Sequence, residues 1–335
     1  MSTINGSATA EHKATPVASA QTATETYLFG SGIGSSLSPV FHDACYRARG
    51  ADWTLRRIDS PNLDVFLQRI HSSDINFGGS AVTMPHKASI LKHVDAVEDQ
   101  AKIIGAANTV FFRQENGQRK LVATNTDVAG IRDSILAVVP KESRPTASSS
   151  NNHIGLVIGG GGTTRTSVYT LRFELHCKEI YIINRLDSEV EAIVADFAKQ
   201  GIHNVYQLKT PEQVAELREA PRFIVNAIPC MEPVTDGEKL ARATLAALLR
   251  RRDASQGNHY FLEMCYFPHT WTDVCEMAKQ SGFTVVQGME CMYHQAVAQQ
   301  LLWLGAAPKG VDLLAEGRAA AEEELRLRSA GKAPH

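Results

Sequence analysis

Residues Gly159–Gly162 form a run of four glycines between a branched apolar stretch, Ile154–Ile158, and a segment of helical character carrying Val168 and Leu171. Strand, glycine loop and helix in that order let backbone N–H groups approach a pyrophosphate, with the helix N-terminus adding partial positive charge. A Cβ in the loop would hold the backbone away from the phosphates, and a tight turn can demand a positive φ. A second strand-like stretch, Glu179–Asn184, arrives at the spacing of a dinucleotide fold and runs into Asn184-Arg185-Leu186-Asp187, where such folds touch the adenosine ribose. Thr164 stands in place of the third glycine of GxGxxG and is small enough for close helix–strand packing. The run therefore predicts a nucleotide site, against the alternative of a plain structural turn.

Five polar segments offer further chemistry: Ser35-Ser36-Leu37-Ser38-Pro39, Val82-Thr83-Met84-Pro85-His86-Lys87, Gly105-Ala106-Ala107-Asn108-Thr109, Thr124-Asn125-Thr126-Asp127 and His294-Gln295. Each alone has an ordinary explanation. Ser38 reads as a helix cap, Lys87 as a solvated helix residue, Asn108 as a turn former and Asp127 as a helix N-cap. His86 reads as a structural or surface histidine.

The elements that must position these residues follow from periodicity. Thr26–Gly30 reads as a first strand, Ser38-Pro39 as the cap and first residue of a helix closed by Gly50, and Trp53–Ile58 as a second strand. Asn62–His71 is helical, because Leu63, Phe66, Leu67 and Ile70 share a face; Asn76–Met84 is a third strand stopped by Pro85. Pro85–His93 and Ala96–Ile104 read as short helices, Asn108–Arg113 and Lys120–Thr124 as a hairpin turning at Asn116-Gly117, and Asp127–Val139 as a helix. Lys141–Asn152 has the composition of a surface loop. Beyond it, strand-like and helical stretches alternate through Val286, which indicates a parallel sheet covered on both faces. Gly288–Leu304 is a strongly apolar helix expected to pack back on the first unit, and Lys309–Gly331 an Ala/Glu/Arg-rich solvated helix.

Composition narrows the class. A chain of 335 residues has room for two domains, and a formal net charge of −2 lacks the basic field of a nucleic-acid surface. No run of about 18 apolar residues is present to span a membrane. The first 25 residues, Ala/Ser/Thr-rich with one lysine and no arginine, read as a disordered tail and not as a targeting peptide. Six cysteines without CxxC spacing suggest free thiols, no zinc site and the cytosol.

Taken together, SLSP, VTMPHK, GAANT and NTD, followed by GGGG-TTR, resemble the shikimate/quinate dehydrogenase family, whose patterns SxSP, VTxPxK, GAxNT, NTD and GxGGxxR occur in that order. The similarity runs from about Phe29 to Gly305. It implies an α/β chain: an N-terminal α/β substrate domain, a Rossmann-type doubly wound parallel-sheet domain, and a C-terminal helix returning to the first. On this chain the division is a tail at 1–25, a substrate-binding catalytic domain at 26–130, a dinucleotide-binding domain at 131–287 containing the 141–152 loop, a returning helix at 288–308 and a polar tail at 309–335.

The resemblance also implies roles. Lys87 and Asp127 form the catalytic pair beside the C3 oxygen of a cyclohexane or cyclohexene carboxylate. Oxidising a secondary alcohol by hydride transfer needs a base for the hydroxyl proton, and buried amines can serve as one. Ser36 and Ser38 match two carboxylate-binding hydroxyls, while Thr83, Asn108 and Gln295 match positions that hydrogen-bond ring hydroxyls. On the cofactor side stand Gly159, Gly161, Gly162, Thr163, Asn184, Arg185, Asp187, Tyr266 and Gly288, with Tyr266 near the nicotinamide.

Members that use NADP tend to carry Asn-Arg-Thr and a further basic residue; here Arg185 is followed by Leu186 and the acids Asp187 and Glu189. Asp187 would accept from ribose hydroxyls and repel a 2′-phosphate, so NAD is the expected cofactor, with NADP the alternative. NAD points to oxidation of quinate to 3-dehydroquinate, with shikimate (to 3-dehydroshikimate) accepted. Val225-Asn226-Ala227-Ile228-Pro229-Cys230-Met231 departs from the family's NAT-x-G-M and from its biosynthetic subgroup. Two alternatives stand: an NADP-dependent biosynthetic enzyme reducing 3-dehydroshikimate, and a non-catalytic quinate sensor, which has no chemical reason to keep Lys87 with Asp127. The expected partner is a small molecule, with neither nucleic acid nor membrane, on a monomer or homodimer.

Overall fold

The computed structural model describes residues 24–72, 76–146, 153–252, 257–267 and 269–330. The N-terminal tail up to residue 23, residues 147–152 of the expected surface loop and residues 331–335 lie outside that set. The chain builds two six-stranded sheets.

The first sheet uses β1 (Thr24–Gly30), α1 (Ser38–Arg49), β2 (Trp53–Asp59), α2 (Leu63–Ile70) and β3 (Asn76–Val82) as parallel strands with helical crossovers. It continues through β4 (Ala96–Val97), α3 (Asp99–Ile104) and the hairpin β5 (Thr109–Glu115)–β6 (Gln118–Thr124), giving the order β2-β1-β3-β5-β6-β4. Asn116 and Gly117 have φ of 51° and 78°, the left-handed pair that a two-residue hairpin turn requires.

The two short helices expected around residues 85–104 are only partly present. After the cis Met84–Pro85 bond there is a 3₁₀ turn at Ser89–Lys92, because the Lys87 carbonyl accepts from Ala107 N at 2.7 Å and is lost to any helix. Residues 95–98 are stitched to β6 by Asp95 N to Leu121 O (2.9 Å) and Glu98 N to Ala123 O (3.0 Å), so helix begins only at Asp99. Competition from neighbouring backbone decided both.

α4 (Asp127–Val138) crosses into the second sheet, built from β7 (Ile154–Ile158), α5 (Gly162–Tyr169), β8 (Glu179–Ile183), α6 (Asp187–Lys199), β9 (Val205–Gln207), α7 (Pro211–Glu216), β10 (Phe223–Asn226), α8 (Asp236–Leu249), β11 (Tyr260–Glu263), α9 (Asp273–Gln280) and β12 (Thr284–Val286). All strands are parallel, in the order β12-β11-β10-β7-β8-β9. Alternate residues face opposite layers: Val157, Ile182 and Val225 pack with residues of α4, α5 and α6, while Leu156, Ile183 and Ile224 pack with residues of α7, α8 and α9. Strand order reverses between β7 and β10, and ligands bind outside the carboxyl ends at such a point. The expected 130/131 domain boundary falls inside α4, whose Ile131 and Ile135 join the core of the second sheet.

α10 (Gly288–Leu304) returns to the first unit, placing Met289, Met292, Tyr293 and Ala296 in one cluster with Leu37 and Phe41 and Trp303 in another with Leu28 and Tyr46. The last segment corrects the expectation of a solvated polar tail. α11 (Leu313–Ser329) buries Leu313, Gly317 and Ala321 against α1, and the small residues Gly317 and Ala321 let the two helices close up. Among the described residues no helix is long and apolar enough to cross a membrane.

Candidate active site

A cleft of about 550 Å³ runs between the two sheets, reaching from Ser36 and Ser38 through Lys87 and Asp127 to Gly161 and Gly162. Lys87 follows the cis-proline turn after β3, and Asp127 is the first residue of α4, one place beyond its N-cap Thr126. Their side chains meet: Lys87 Nζ donates to Asp127 Oδ2 at 2.6 Å, with 18% and 12% of the two side chains exposed. Asp127 is therefore not merely the cap that its position suggested.

The other carboxylate oxygen is held from the hairpin side. Asn108 Nδ2 donates to Asp127 Oδ1 at 2.8 Å and approaches Gln295 Oε1 at 3.3 Å. Asn108 Oδ1 accepts from Thr126 N (2.7 Å) and from the Thr109 hydroxyl (2.8 Å), which fixes the amide's orientation. A longer chain lies behind it. Gln300 Nε2 donates to His42 Nδ1 at 2.8 Å, so the His42 proton sits on Nε2, which donates to Gln299 Oε1 at 3.1 Å. Gln299 Nε2 then donates to Thr109 Oγ1 at 2.9 Å, and Thr109 to Asn108. Every member points its donor the same way, ending on the Asp127 carboxylate. Burial pushes the His42 imidazole down to about 3, with the Gln299 bond working in the opposite sense, so the ring stays neutral.

Ser36 and Ser38 lie at the far end of the cleft. The helix starts at Ser38 itself with Leu37 as N-cap, so the Ser38 hydroxyl is not used as a cap. It is 95% buried and its oxygen has no hydrogen-bond partner among the described residues, which leaves it available to a ligand. Tyr266 lines the cleft as well: burial raises its hydroxyl, the nearby Cys291 and Asp127 add to the rise, and Ser36 works against it. Thr83 and Gln295 line the same space. His86 is buried, stacked on Phe29 at 4.1 Å between ring centres, and bonded to Ser60 O at 2.9 Å, so it is structural.

On the opposite wall, Gly159 has φ of 131° and faces Thr164 Oγ1 and the Ala227 carbonyl, a close approach that a side chain would prevent. Gly161 is the N-cap of α5 without a side-chain capping bond, and nothing crowds the Cβ positions of Gly161 or Gly162. The first-turn N–H groups, Thr163 among them, are thus free for an anion, and the loop fits a dinucleotide pyrophosphate. Gly288 lies against the Glu263 and Met264 carbonyls, where it lets α10 start close to the end of β11.

The ribose end differs from expectation. Asp187 accepts from Lys209 Nζ (2.8 Å) and Gln207 Nε2 (2.6 Å), at the end of the neighbouring strand, and Arg185 pairs with Glu238 at 2.5 Å. The carboxylate that reaches the glycine loop is Glu189, which accepts from Asn184 Nδ2 at 2.6 Å and lies against Gly160. Sequence reasoning noted Glu189 as an acid without giving it a role, and missed His42, Gln299 and Gln300. The spacing Gln295–Gln299, one helical turn, was a usable sign that a second polar residue follows the first on one face of an apolar helix.

Known proteins resemble this chain in sequence and in fold. Residues 28–110 match the family described as the shikimate dehydrogenase substrate binding domain. The chain is 37% identical over 292 residues to quinate dehydrogenase of Emericella nidulans, covering 83% of this chain and 87% of that protein. Among solved structures, quinate dehydrogenase from Corynebacterium glutamicum in complex with NAD superposes with a TM-score of 0.70 at 22% identity, over 90% of this chain and 99% of that one. Shikimate 5-dehydrogenase from Thermus thermophilus, in complex with NADP(H) and shikimate, gives 0.67 at 24% identity over the same shares. These two likenesses establish the fold.

Proposed function

The chain belongs to the shikimate/quinate dehydrogenase family of oxidoreductases, and from that premise we propose that it oxidises the C3 hydroxyl of quinate with NAD, taking shikimate at the same site. The observation that carries the reading is the Lys87–Asp127 pair, which lies in the cleft between the free Ser38 hydroxyl and the glycine loop. A bound nicotinamide supplies the hydride acceptor. Lys87 takes the hydroxyl proton as the C3 hydride departs, and Asp127 keeps the amine aimed at that oxygen. Asn108, Thr83 and Gln295 hold the remaining ring hydroxyls, and Ser36, Ser38 and Tyr266 hold the carboxylate. A polyol demands such paired groups, because a substrate lacking one hydroxyl leaves a buried partner unsatisfied.

NAD is supported by charge at the ribose end. With Arg185 engaged by Glu238 and Glu189 lying on Gly160, a 2′-hydroxyl meets an acceptor and a 2′-phosphate meets a carboxylate. The six free thiols support a reducing compartment, in keeping with the cytosol. Nicotinamide absorbance in the four pairings of quinate or shikimate with NAD or NADP tests the reading. Quinate with NAD is expected to give the largest kcat/KM; a large preference for NADP would remove the cofactor assignment, and no turnover of either acid would remove the whole.

A further inference from the structure

The loop that carries Ser36 is held from outside the cleft by charged side chains. The Asp59 carboxylate accepts from Gly32 N (2.9 Å) and Ile33 N (3.1 Å), and Arg57 Nη2 donates to the Ser36 carbonyl at 2.8 Å. The Ser35 carbonyl accepts at 2.7 Å from Arg328 Nη1, 293 residues further along the chain, in the last turn of α11. Arg328 is itself steadied: its Nε donates to Glu324 Oε1 at 2.8 Å, one turn back on the same helix, and only 27% of its side chain is exposed. α11 in turn is seated on α1, the helix that begins with Ser38, where Gly317 leaves just the room the Phe41 ring needs.

Two guanidinium groups thus engage consecutive peptide carbonyls behind the serine end of the cleft. Both carbonyls are thereby tethered, and Ser36 Oγ accepts from Ser38 N at 3.2 Å, which ties the loop to the start of α1. The direct donors at this end, Ser36, Ser38 and Tyr266, are all neutral, so the two arginines behind the loop add positive charge to the start of α1 on the side where an anion would sit. We propose that Arg328, together with Arg57, is a positioning residue for the substrate carboxylate: it fixes the Ser35-Ser36 loop and sets the affinity for an anionic ring substituent without touching the hydride-transfer centre. The role rests on the carboxylate-binding reading above. It makes the last helix part of the substrate site.

The test is Arg328→Met, which keeps the aliphatic stem, set beside Arg328→Lys and Arg326→Met. Arg326 pairs with Glu323 on the exposed face and serves as the control for losing one charge from α11. With saturating cofactor, Arg328→Met is expected to raise KM for quinate about five- to tenfold, the loss of one charge-assisted contact, with kcat within about twofold of the wild type. Quinate methyl ester, which has no anionic carboxylate, is expected to show less than about half of that change on a logarithmic scale. Arg328→Lys recovers part of the affinity, Arg326→Met stays at the wild-type KM, and calorimetric titration of quinate follows the same order.

An unchanged KM in Arg328→Met, or equal changes for acid and ester, overturns the proposal. So does a fall in kcat that tracks a lowered melting temperature, which would make Arg328 a fastener of α11 only. A wild type that turns over neither acid removes the functional reading along with this role. A wild type that is active beside an unaltered Arg328→Met removes this role alone.

Discussion

Gln299→Leu is a sharp perturbation of the donor chain, because Gln299 acts behind the Lys87–Asp127 pair and reaches the substrate-assigned Asn108 through its backbone carbonyl alone. The residue is 1% exposed and makes three contacts: its Oε1 accepts from His42 at 3.1 Å, and its Nε2 donates to Thr109 Oγ1 at 2.9 Å and to Asn108 O at 3.4 Å. Leucine fills a similar volume and satisfies none of them. The His42 Nε2 proton is then a full orphan in a site with no solvent, at a cost of about 1–3 kcal/mol. Thr109 loses less, since its hydroxyl still donates to Asn108 and still meets Thr126 at 3.1 Å. The sum is about 2–3 kcal/mol of stability once the added apolar packing of leucine is set against it.

The effect on turnover is smaller. Asn108 remains anchored by Thr126 N, so its amide keeps its orientation and loses only the stiffness supplied from behind. We expect kcat to fall about three- to tenfold, the equivalent of about 1 kcal/mol in the barrier, with KM for NAD unchanged. Urea denaturation followed by circular dichroism reads the first effect as a lowered midpoint at constant slope, and steady-state kinetics reads the second. A Gln299→Leu protein within about 0.5 kcal/mol of the wild type and fully active would refute the reasoning. Either the chain of donors would then be absent in solution, or it would do nothing for Asp127.

Three further outcomes follow from the structure. His42 is held neutral by burial with its pKa near 3, and His153 is lowered to about 4 by burial and the neighbouring Arg222 charge, whereas an unfolded histidine titrates at about 6.5. Below that pH the unfolded chain binds more protons than the folded one, so this part of the stability is complete above about pH 6.5 and is lost as pH falls toward 4 and 3. Denaturation at pH 7 and pH 5 should therefore show a loss for the wild type that His42→Asn shows to a lesser degree; equal losses would mean that His42 takes up its proton in the folded state. Glu189→Gln should raise the ratio of affinities for 2′-phospho-ADP-ribose over ADP-ribose about tenfold, read by calorimetry, while Glu191→Gln, an exposed acid on the same helix, leaves it within about twofold; matching changes would reduce Glu189 to bulk charge. Ser38→Ala should weaken quinate binding by about tenfold with little change in melting temperature, because its hydroxyl has no protein partner to lose; a marked drop in stability would assign it a structural role.

Much of the layout was legible from the chain because it depends on local signals. The run Ile154–Ile158 into four glycines specified a strand and loop, and Asn116-Gly117 specified the hairpin, since both rest on backbone preferences that few residues satisfy. The convergence of Lys87 and Asp127, forty positions apart, was legible only through the resemblance; no periodicity reports a meeting between a post-strand turn and a helix start. What local signals missed was decided by partners distant in sequence. The stretch around Lys87 avoids helix because Ala107 takes its carbonyl, and the Asp187 carboxylate is engaged by Lys209 and Gln207, some twenty residues further along the chain. The Ala/Glu/Arg-rich composition of α11 suggested a solvated helix, whereas its small residues at Gly317 and Ala321 marked the face that packs on α1.

The most direct test is a single-turnover experiment in which quinate and NAD are mixed with excess wild-type enzyme, Lys87→Ala or Asp127→Asn, and reduced nicotinamide is followed in time. If the pair provides the proton acceptor and its alignment, Lys87→Ala binds quinate within about threefold of the wild type while hydride transfer slows by about a thousandfold or more, and Asp127→Asn slows it by a smaller factor. Hydride transfer in Lys87→Ala at the wild-type rate would contradict the central claim and leave the cleft without a chemical centre.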